Sequence, residues 1–188
     1  VYKMSIFISI ASYQDPLLVS TIWSAYSNAC NKKDLIFSIC DQSDNPVKIN
    51  ELPFAQQIRY DHVDPLFAKG PCWARHRAQS FYAAEEYFLQ IDSHTQFLPD
   101  WDILFIESLS KIEALGSHDN YFNKPIITSY PRGFEVVDFE KGLFSLSSGD
   151  KHTQVITYRE DSIFSRGSFS RQIGMPTKHS EITHAFLM

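Results

Sequence analysis

The chain has 188 residues, 44% apolar and 14% aromatic, which at ~150 residues per domain amounts to roughly one domain with material for a substantial core, and it excludes disorder as the main state. With 17 Lys+Arg against 22 Asp+Glu the net charge is -5, no polybasic face stands out, and a nucleic-acid reader is not expected. No apolar run approaches the ~18 residues that span a bilayer and the N-terminus lacks the charged and apolar regions of a signal peptide, so a soluble chain without a transmembrane segment is expected.

The opening Ser5-Ile6-Phe7-Ile8-Ser9-Ile10-Ala11-Ser12 is short, apolar and β-branched, the pattern of a buried strand. A helix should follow, with Asp15 accepting a backbone N–H as N-cap, Pro16 in the first helical position, and Leu18, Ile22, Ala25, Tyr26 and Ala29 recurring on one buried face. Leu35-Ile36-Phe37-Ser38-Ile39 reads as a second strand. Residues 41–56 are polar and turn-rich, and Gln57-Ile58-Arg59-Tyr60 reads as a short third strand. Gly70-Pro71 starts a helix expected to run to about Ala84, packed through Ala74, Ala78 and Phe81. Tyr87-Phe88-Leu89-Gln90-Ile91-Asp92 is the next strand, and Asp100 should cap a helix with Trp101, Leu104, Phe105, Leu109 and Ile112 on one side. A further strand is expected over residues 124–130, and loops with short strands from about Pro131 to His179. Alternating strands and helices of these lengths predict an α/β fold around a mostly parallel central sheet. The three cysteines, Cys30, Cys40 and Cys72, form no CxxC or Cys/His cluster; reduced, mostly buried thiols and a cytoplasmic location are expected.

The glycines bear on chemistry by their positions. There are seven, and the first is Gly70, so a glycine-rich phosphate loop after the first strand is excluded and a phosphate ligand must be neutralised by a metal or by side chains. The sharpest local signal is Gln90-Ile91-Asp92-Ser93-His94. If the chain stays extended, Asp92 and His94 project to one side and grip one ion while Ser93 points away. Such ligands would emerge at the carboxyl end of a strand, where open α/β sheets bind substrates. A mixed oxygen and nitrogen set suits Mn²⁺ and tolerates Mg²⁺ or Zn²⁺; the same residues also suit a plain turn with a capping Asp.

Ala68-Lys69-Gly70-Pro71-Cys72-Trp73-Ala74-Arg75-His76-Arg77 places a helix start beside basic residues, an anion site in one reading and a solvated helix with a buried Trp73 in the other. Arg75 and Arg77 cannot share one helical face, so at most one serves that site. In Ser12-Tyr13-Gln14-Asp15, Tyr13 is available to stack on a base and Gln14 to hydrogen-bond one. Asp100 and Asp102 are candidate acids that capping and solvation also explain. His62, His76, His118, His152 and His179 read as polar surface, and His184 as a candidate third ligand.

Together, Ile8-Ser9-Ile10-Ala11-Ser12-Tyr13-Gln14-Asp15-Pro16, the Ala68 to Arg75 segment and Leu89-Gln90-Ile91-Asp92-Ser93-His94 resemble glycosyltransferase family 60, clearest from residue 5 to about 133 through Trp101-Asp102 and Ser129-Tyr130-Pro131-Arg132-Gly133-Phe134. These are polypeptide N-acetylglucosaminyltransferases whose characterised eukaryotic members modify hydroxyproline on a ubiquitin-ligase adaptor. The resemblance implies a GT-A nucleotide-sugar fold with helices on both faces of the sheet. It implies a metal-dependent, retaining transfer of GlcNAc from UDP-GlcNAc to a hydroxyl acceptor on a polypeptide. Carried onto this chain, the metal motif falls on Asp92 and His94, with Mn²⁺ as the expected cofactor and Mg²⁺ as the alternative. Arg75 matches the arginine that faces the nucleotide, Ser12, Tyr13 and Asp15 match the loop that receives uridine, and Asp92 belongs to the donor site as well.

On this reading residues 1–188 are a single GT-A-like domain, 1–133 its donor-binding part and 134–188 the start of an acceptor-side part. Family members continue further, with another metal ligand and an acidic residue near the reacting sugar. The chain is therefore expected to be shortened at its C-terminal end, weak or inactive as a catalyst, and prone to self-association through the apolar Ala185-Phe186-Leu187-Met188. The alternative in another class is a non-catalytic nucleotide-sugar-binding module of the same fold; a metal-dependent hydrolase would need more ligands around Asp92.

Overall fold

The computed structural model describes residues 4–116, 126–127, 133–138, 143–146, 154–157 and 168–171. The chain divides into two compact units, Val1–Leu104 and Phe105–Met188.

In the first unit, β1 (Ile6–Tyr13), β2 (Leu35–Gln42), β3 (Ile58–Val63) and β4 (Tyr87–Asp92) form one sheet in the order β3-β2-β1-β4, with every pairing parallel. Alternate residues of a strand face opposite ways, and paired residues share a face. Ile6, Ile8 and Ile10 of β1 therefore lie beside Leu35, Phe37 and Ile39 of β2 on one face, while Phe7, Ser9 and Ala11 lie beside Ile36, Ser38 and Cys40 on the other. Both sets are largely buried, as a parallel sheet covered on two sides requires. On the second face α2 (Pro71–Gln79) packs Ala74 and Ala78 against Cys40, Ala11 and Val63, and Ser38 Oγ donates to the Ala78 carbonyl at 2.7 Å. On the first face Phe54 joins the sheet to α1 (Leu18–Asn28): its ring stacks on Tyr26 at 3.8 Å between centroids and also meets Trp23 and Phe37. Helices thus cover both faces of a parallel sheet, an α/β fold consistent with the GT-A type.

The helix α3 (Trp101–Gly116) begins in the first unit, where Trp101 Nε1 donates to the Ala25 carbonyl at 2.8 Å. In the second unit β5 (Phe134–Asp138) pairs antiparallel with β6 (Leu143–Leu146), and β7 (Gln154–Thr157) with β8 (Ser168–Arg171), matching the short strands expected beyond Pro131.

Several local expectations change. β2 and β3 continue to Gln42 and Val63, because the polar ends Asp41 and Gln42 pair with Ser12 and Tyr13 on one side and His62 and Val63 on the other. α1 starts at Leu18 rather than at Pro16: Asp15 Oδ1 accepts the Leu17 N–H at 2.9 Å in a local turn before the helix winds. α2 stops at Gln79 and leaves Phe81 exposed, since the chain turns through Ala84, at φ 67°, to enter β4. Asp100 has φ 60° and offers only its backbone carbonyl to Leu104, while Leu104, expected on the packed side, is exposed. Of the cysteines only Cys40 is buried; Cys30 and Cys72 are exposed free thiols, lying at an inter-element turn and in the first turn of α2. The strand expected over residues 124–130 falls outside the described residues apart from Ile126 and Ile127, which are not in a strand, and residues 185–188 also lie outside them.

Candidate functional site

The sheet grows outward from β1 through β2 to β3, and the chain then returns to place β4 on the other flank of β1. This reversal makes the carboxyl ends of β1 and β4 a topological switch point, the position at which open α/β sheets receive ligands. The register pairs Ala11 with Asp92, the last residue of β4, so that the 12–15 loop and the 92–94 segment meet at this edge.

The meeting is made by one carboxylate. Asp15 Oδ2 accepts from Ser93 Oγ at 2.6 Å and lies 2.8 Å from His94 Nδ1, while Oδ1 holds the Leu17 N–H. Burial alone would raise the pKa of Asp15, but the hydrogen bonds from Ser93, His94 and Leu17 outweigh it and hold the carboxyl below its ordinary value. Ser93 therefore does not point away from His94. β4 ends at Asp92 and the chain turns there, so strand alternation no longer applies, and both side chains reach the same oxygen.

Gln14, at φ 49°, makes the turn that aims Asp15; its N–H donates to the Gln42 carbonyl at 3.0 Å and its side chain bonds Asp44. The 93–97 segment is tied down by one edge of α1. Thr21 Oγ1 donates to the Ser93 carbonyl and accepts the Thr95 N–H, Ser24 Oγ accepts the Phe97 N–H, and Asn28 donates to the Phe97 carbonyl.

Arg75 and Arg77 separate as their spacing requires. Arg75, 9% exposed, reaches Asp92 Oδ1 at 3.2 Å. Arg77 points to the far edge of the sheet and pairs with both oxygens of Asp61 on β3. Lys69 and Arg77 lie over the half-buried Trp73 ring at 5.9 and 5.0 Å. Gly70, at φ 89°, precedes Pro71 at the start of α2, a backbone state that suits glycine. Ser12 is buried beside Asp41, and its Oγ has no hydrogen-bond partner among the described residues, whereas Tyr13 is 59% exposed at the end of β1.

Sequence reasoning missed Asp41 and Gln42. Asp41, 1% exposed, accepts from Tyr60 Oη at 2.6 Å and from the Val47 N–H, and Gln42 Nε2 donates to the Ser12 carbonyl at 2.9 Å. Burial and this hydrogen bond push the Tyr60 hydroxyl well above its ordinary pKa. The available signal was a carboxylate directly after an apolar strand, the same signal that singled out Asp92. Asp102 is also structural: it is 1% exposed and accepts the N–H groups of Cys30 and Asn31 at 2.8 Å each.

A family model described as glycosyltransferase (GlcNAc) matches residues 43–149, more than half of the chain. The chain belongs to this GlcNAc glycosyltransferase family. The matched span includes Arg75, Asp92 and His94, and β1 with Ser12, Tyr13 and Asp15 precedes it. No curated protein and no solved structure matches the chain. A glycosyltransferase of this family is a transferase that works between a sugar donor and an acceptor. Among the described residues no helix is long and apolar enough to cross a membrane, and no group of three or more His, Cys, Asp or Glu side chains is placed to hold a metal. His184 lies outside the described residues.

Proposed function

We propose that the chain moves GlcNAc from UDP-GlcNAc to a hydroxyl on a polypeptide acceptor, retaining the anomeric configuration, with Mn²⁺, or Mg²⁺ as the alternative, at Asp92 and His94. The observation that carries this reading is the placement of two pairs, Asp15 with His94 and Arg75 with Asp92, at the adjacent carboxyl ends of β1 and β4 in a chain of the GlcNAc glycosyltransferase family. The donor set suits the cation: Asp92 contributes a carboxylate oxygen and His94 a ring nitrogen, and a site with few protein ligands leaves positions for diphosphate oxygens and water. When bound, the cation would neutralise charge that develops on the departing UDP.

The rest of the work falls to side chains. Arg75 is held in place by Asp92 before any ligand arrives, so it can meet a diphosphate oxygen without reorganising; a charge-assisted hydrogen bond of this kind contributes ~1.5 to 3 kcal/mol. The exposed Tyr13 ring offers a face to the uracil, and Ser12 and Asp15 shape the loop beneath it. Residues 1–133 are read as the donor-binding part and 134–188 as the beginning of the acceptor side. The hydroxyproline-modifying type is the acceptor class that the sequence resemblance favours.

Calorimetric titration of UDP with and without Mn²⁺, followed by transfer and hydrolysis assays with a panel of nucleotide sugars, tests this reading. Metal-dependent binding should be lost in Asp92→Ala and His94→Ala. Arg75→Ala should weaken it by ~10-fold or more, since ~1.4 kcal/mol is a factor of ten, while Arg77→Ala, whose partner is Asp61, should bind like the parent. Metal-independent binding that survives both ligand substitutions would overturn the assignment, and donor binding with transfer to no acceptor, in these 188 residues and in a longer chain alike, would make the protein a nucleotide-sugar-binding module.

A further inference from the structure

We infer that Asp15 is a positioning residue that selects which ring nitrogen of His94 is offered to a divalent cation. The inference rests on the reading of His94 as a metal ligand. The carboxylate of Asp15 is tied to α1 through Oδ1 and the Leu17 N–H, and its Oδ2 faces His94 Nδ1 at 2.8 Å and Ser93 Oγ at 2.6 Å. An ionised carboxylate can only accept, so the proton of the neutral ring sits on Nδ1 and the lone pair on Nε2. The ring is 60% exposed, which leaves it accessible to a cation. An unconstrained imidazole side chain favours the opposite tautomer, with its proton on Nε2 and no lone pair there. Asp15 reverses that preference, in the way ligating histidines are oriented by a carboxylate on their other nitrogen.

The geometry is supported from the end of β1 and from α1. Gln14 is fixed by the Gln42 carbonyl and aims Asp15 from β1. Thr21 holds the Ser93 carbonyl and the Thr95 N–H and so fixes the turn that carries His94.

An Asp15→Asn substitution separates this role from the turn that Asp15 makes with Leu17 ahead of α1. The Leu17 N–H can only donate, so the amide oxygen stays on that side. The NH₂ group then faces Ser93 and His94, both of which can turn or re-protonate to accept. The turn survives while the tautomer flips to Nε2–H. Asp15→Glu restores a carboxylate and should recover the parental tautomer in part.

The test is nitrogen-resolved NMR of the His94 ring in the full chain, read on the neutral form, together with Mn²⁺ titration in the presence of UDP. The parent should show Nδ1–H. Asp15→Asn should show Nε2–H with Mn²⁺ affinity ~10 to 100-fold lower and little loss of stability, and Asp15→Glu should lie between them. A parent ring protonated on Nε2, or an Asp15→Asn protein with unchanged tautomer and unchanged Mn²⁺ affinity, overturns the inference. A parent that shows Nδ1–H but binds no Mn²⁺ with UDP removes the metal reading and with it the role assigned to Asp15, whereas a parent that binds Mn²⁺ with the proton on Nε2 refutes the positioning role alone.

Discussion

At Asp102 a carboxylate that acts in chemistry can be told from one that holds the fold. It lies in the first turn of α3 with 1% of its surface exposed, and its two oxygens accept the N–H groups of Cys30 and Asn31 at 2.8 Å each. A hydrogen bond to a charged group contributes ~1.5 to 3 kcal/mol, and because Cys30 is exposed its freed N–H can recover water, which favours the lower end. Asp102→Ala removes both acceptors and should cost about 3 kcal/mol. Asp102→Asn keeps one acceptor but turns an NH₂ toward the other N–H, for a cost of about 2 kcal/mol. With a urea slope of ~2 kcal/mol/M these are midpoint shifts of about 1.5 and 1 M. Asp100→Asn is the control: Asp100 sits at φ 60°, which Asn also tolerates, and it should stay within about 0.5 kcal/mol of the parent. Urea denaturation followed by circular dichroism reads all three. Asp102 variants as stable as the parent but devoid of transfer would refute the structural assignment and return Asp102 to the reacting site.

Two further outcomes follow from buried titratable groups. Burial would raise the pKa of Glu85, but the Ala83 N–H and the Arg59 guanidinium, 2.6 Å away, outweigh it and hold the carboxyl below its ordinary value. Its contribution to stability is therefore present above the ordinary carboxylate range and lost as the pH falls through the lowered value. Thermal denaturation from pH 6 to pH 3 should show a shallower decline for Glu85→Gln than for the parent, and equal slopes would count against the pairing. Cys40 is buried, and burial together with the neighbouring Asp61 pushes its thiol up to about 11. Iodoacetamide at pH 8 should modify Cys30 and Cys72 in the folded protein and Cys40 only after denaturation, whereas rapid labelling of all three would contradict the packing of α2 on β2.

The elements that were legible in the chain are those whose signals are local. A β-branched apolar run marked β1, helical spacing of Leu18, Ile22 and Ala25 marked the buried face of α1, and the exclusion of one shared face for Arg75 and Arg77 anticipated their separate partners. A carboxylate at the end of an apolar strand also marked Asp92, which in the structure closes the half-exposed edge strand β4 and pairs with Arg75.

What the sequence left open depends on contacts between distant segments. Asp15 and His94 are 79 residues apart, and only the parallel register of β1 with β4 brings them within hydrogen-bond distance. Ser20, Thr21, Ser24 and Asn28 of α1 hold the 93–97 segment, since polar groups in a loop need partners and α1 supplies them. Asp102 read as a solvated first-turn acid and proved to be the acceptor for a turn 71 and 72 residues earlier. The sequence by itself determined the strand and helix types and the residues that carry charge to the sheet edge. The tertiary structure alone decided which of those charges face one another, because periodicity sets the side of an element on which a residue lies and only packing sets what it meets there.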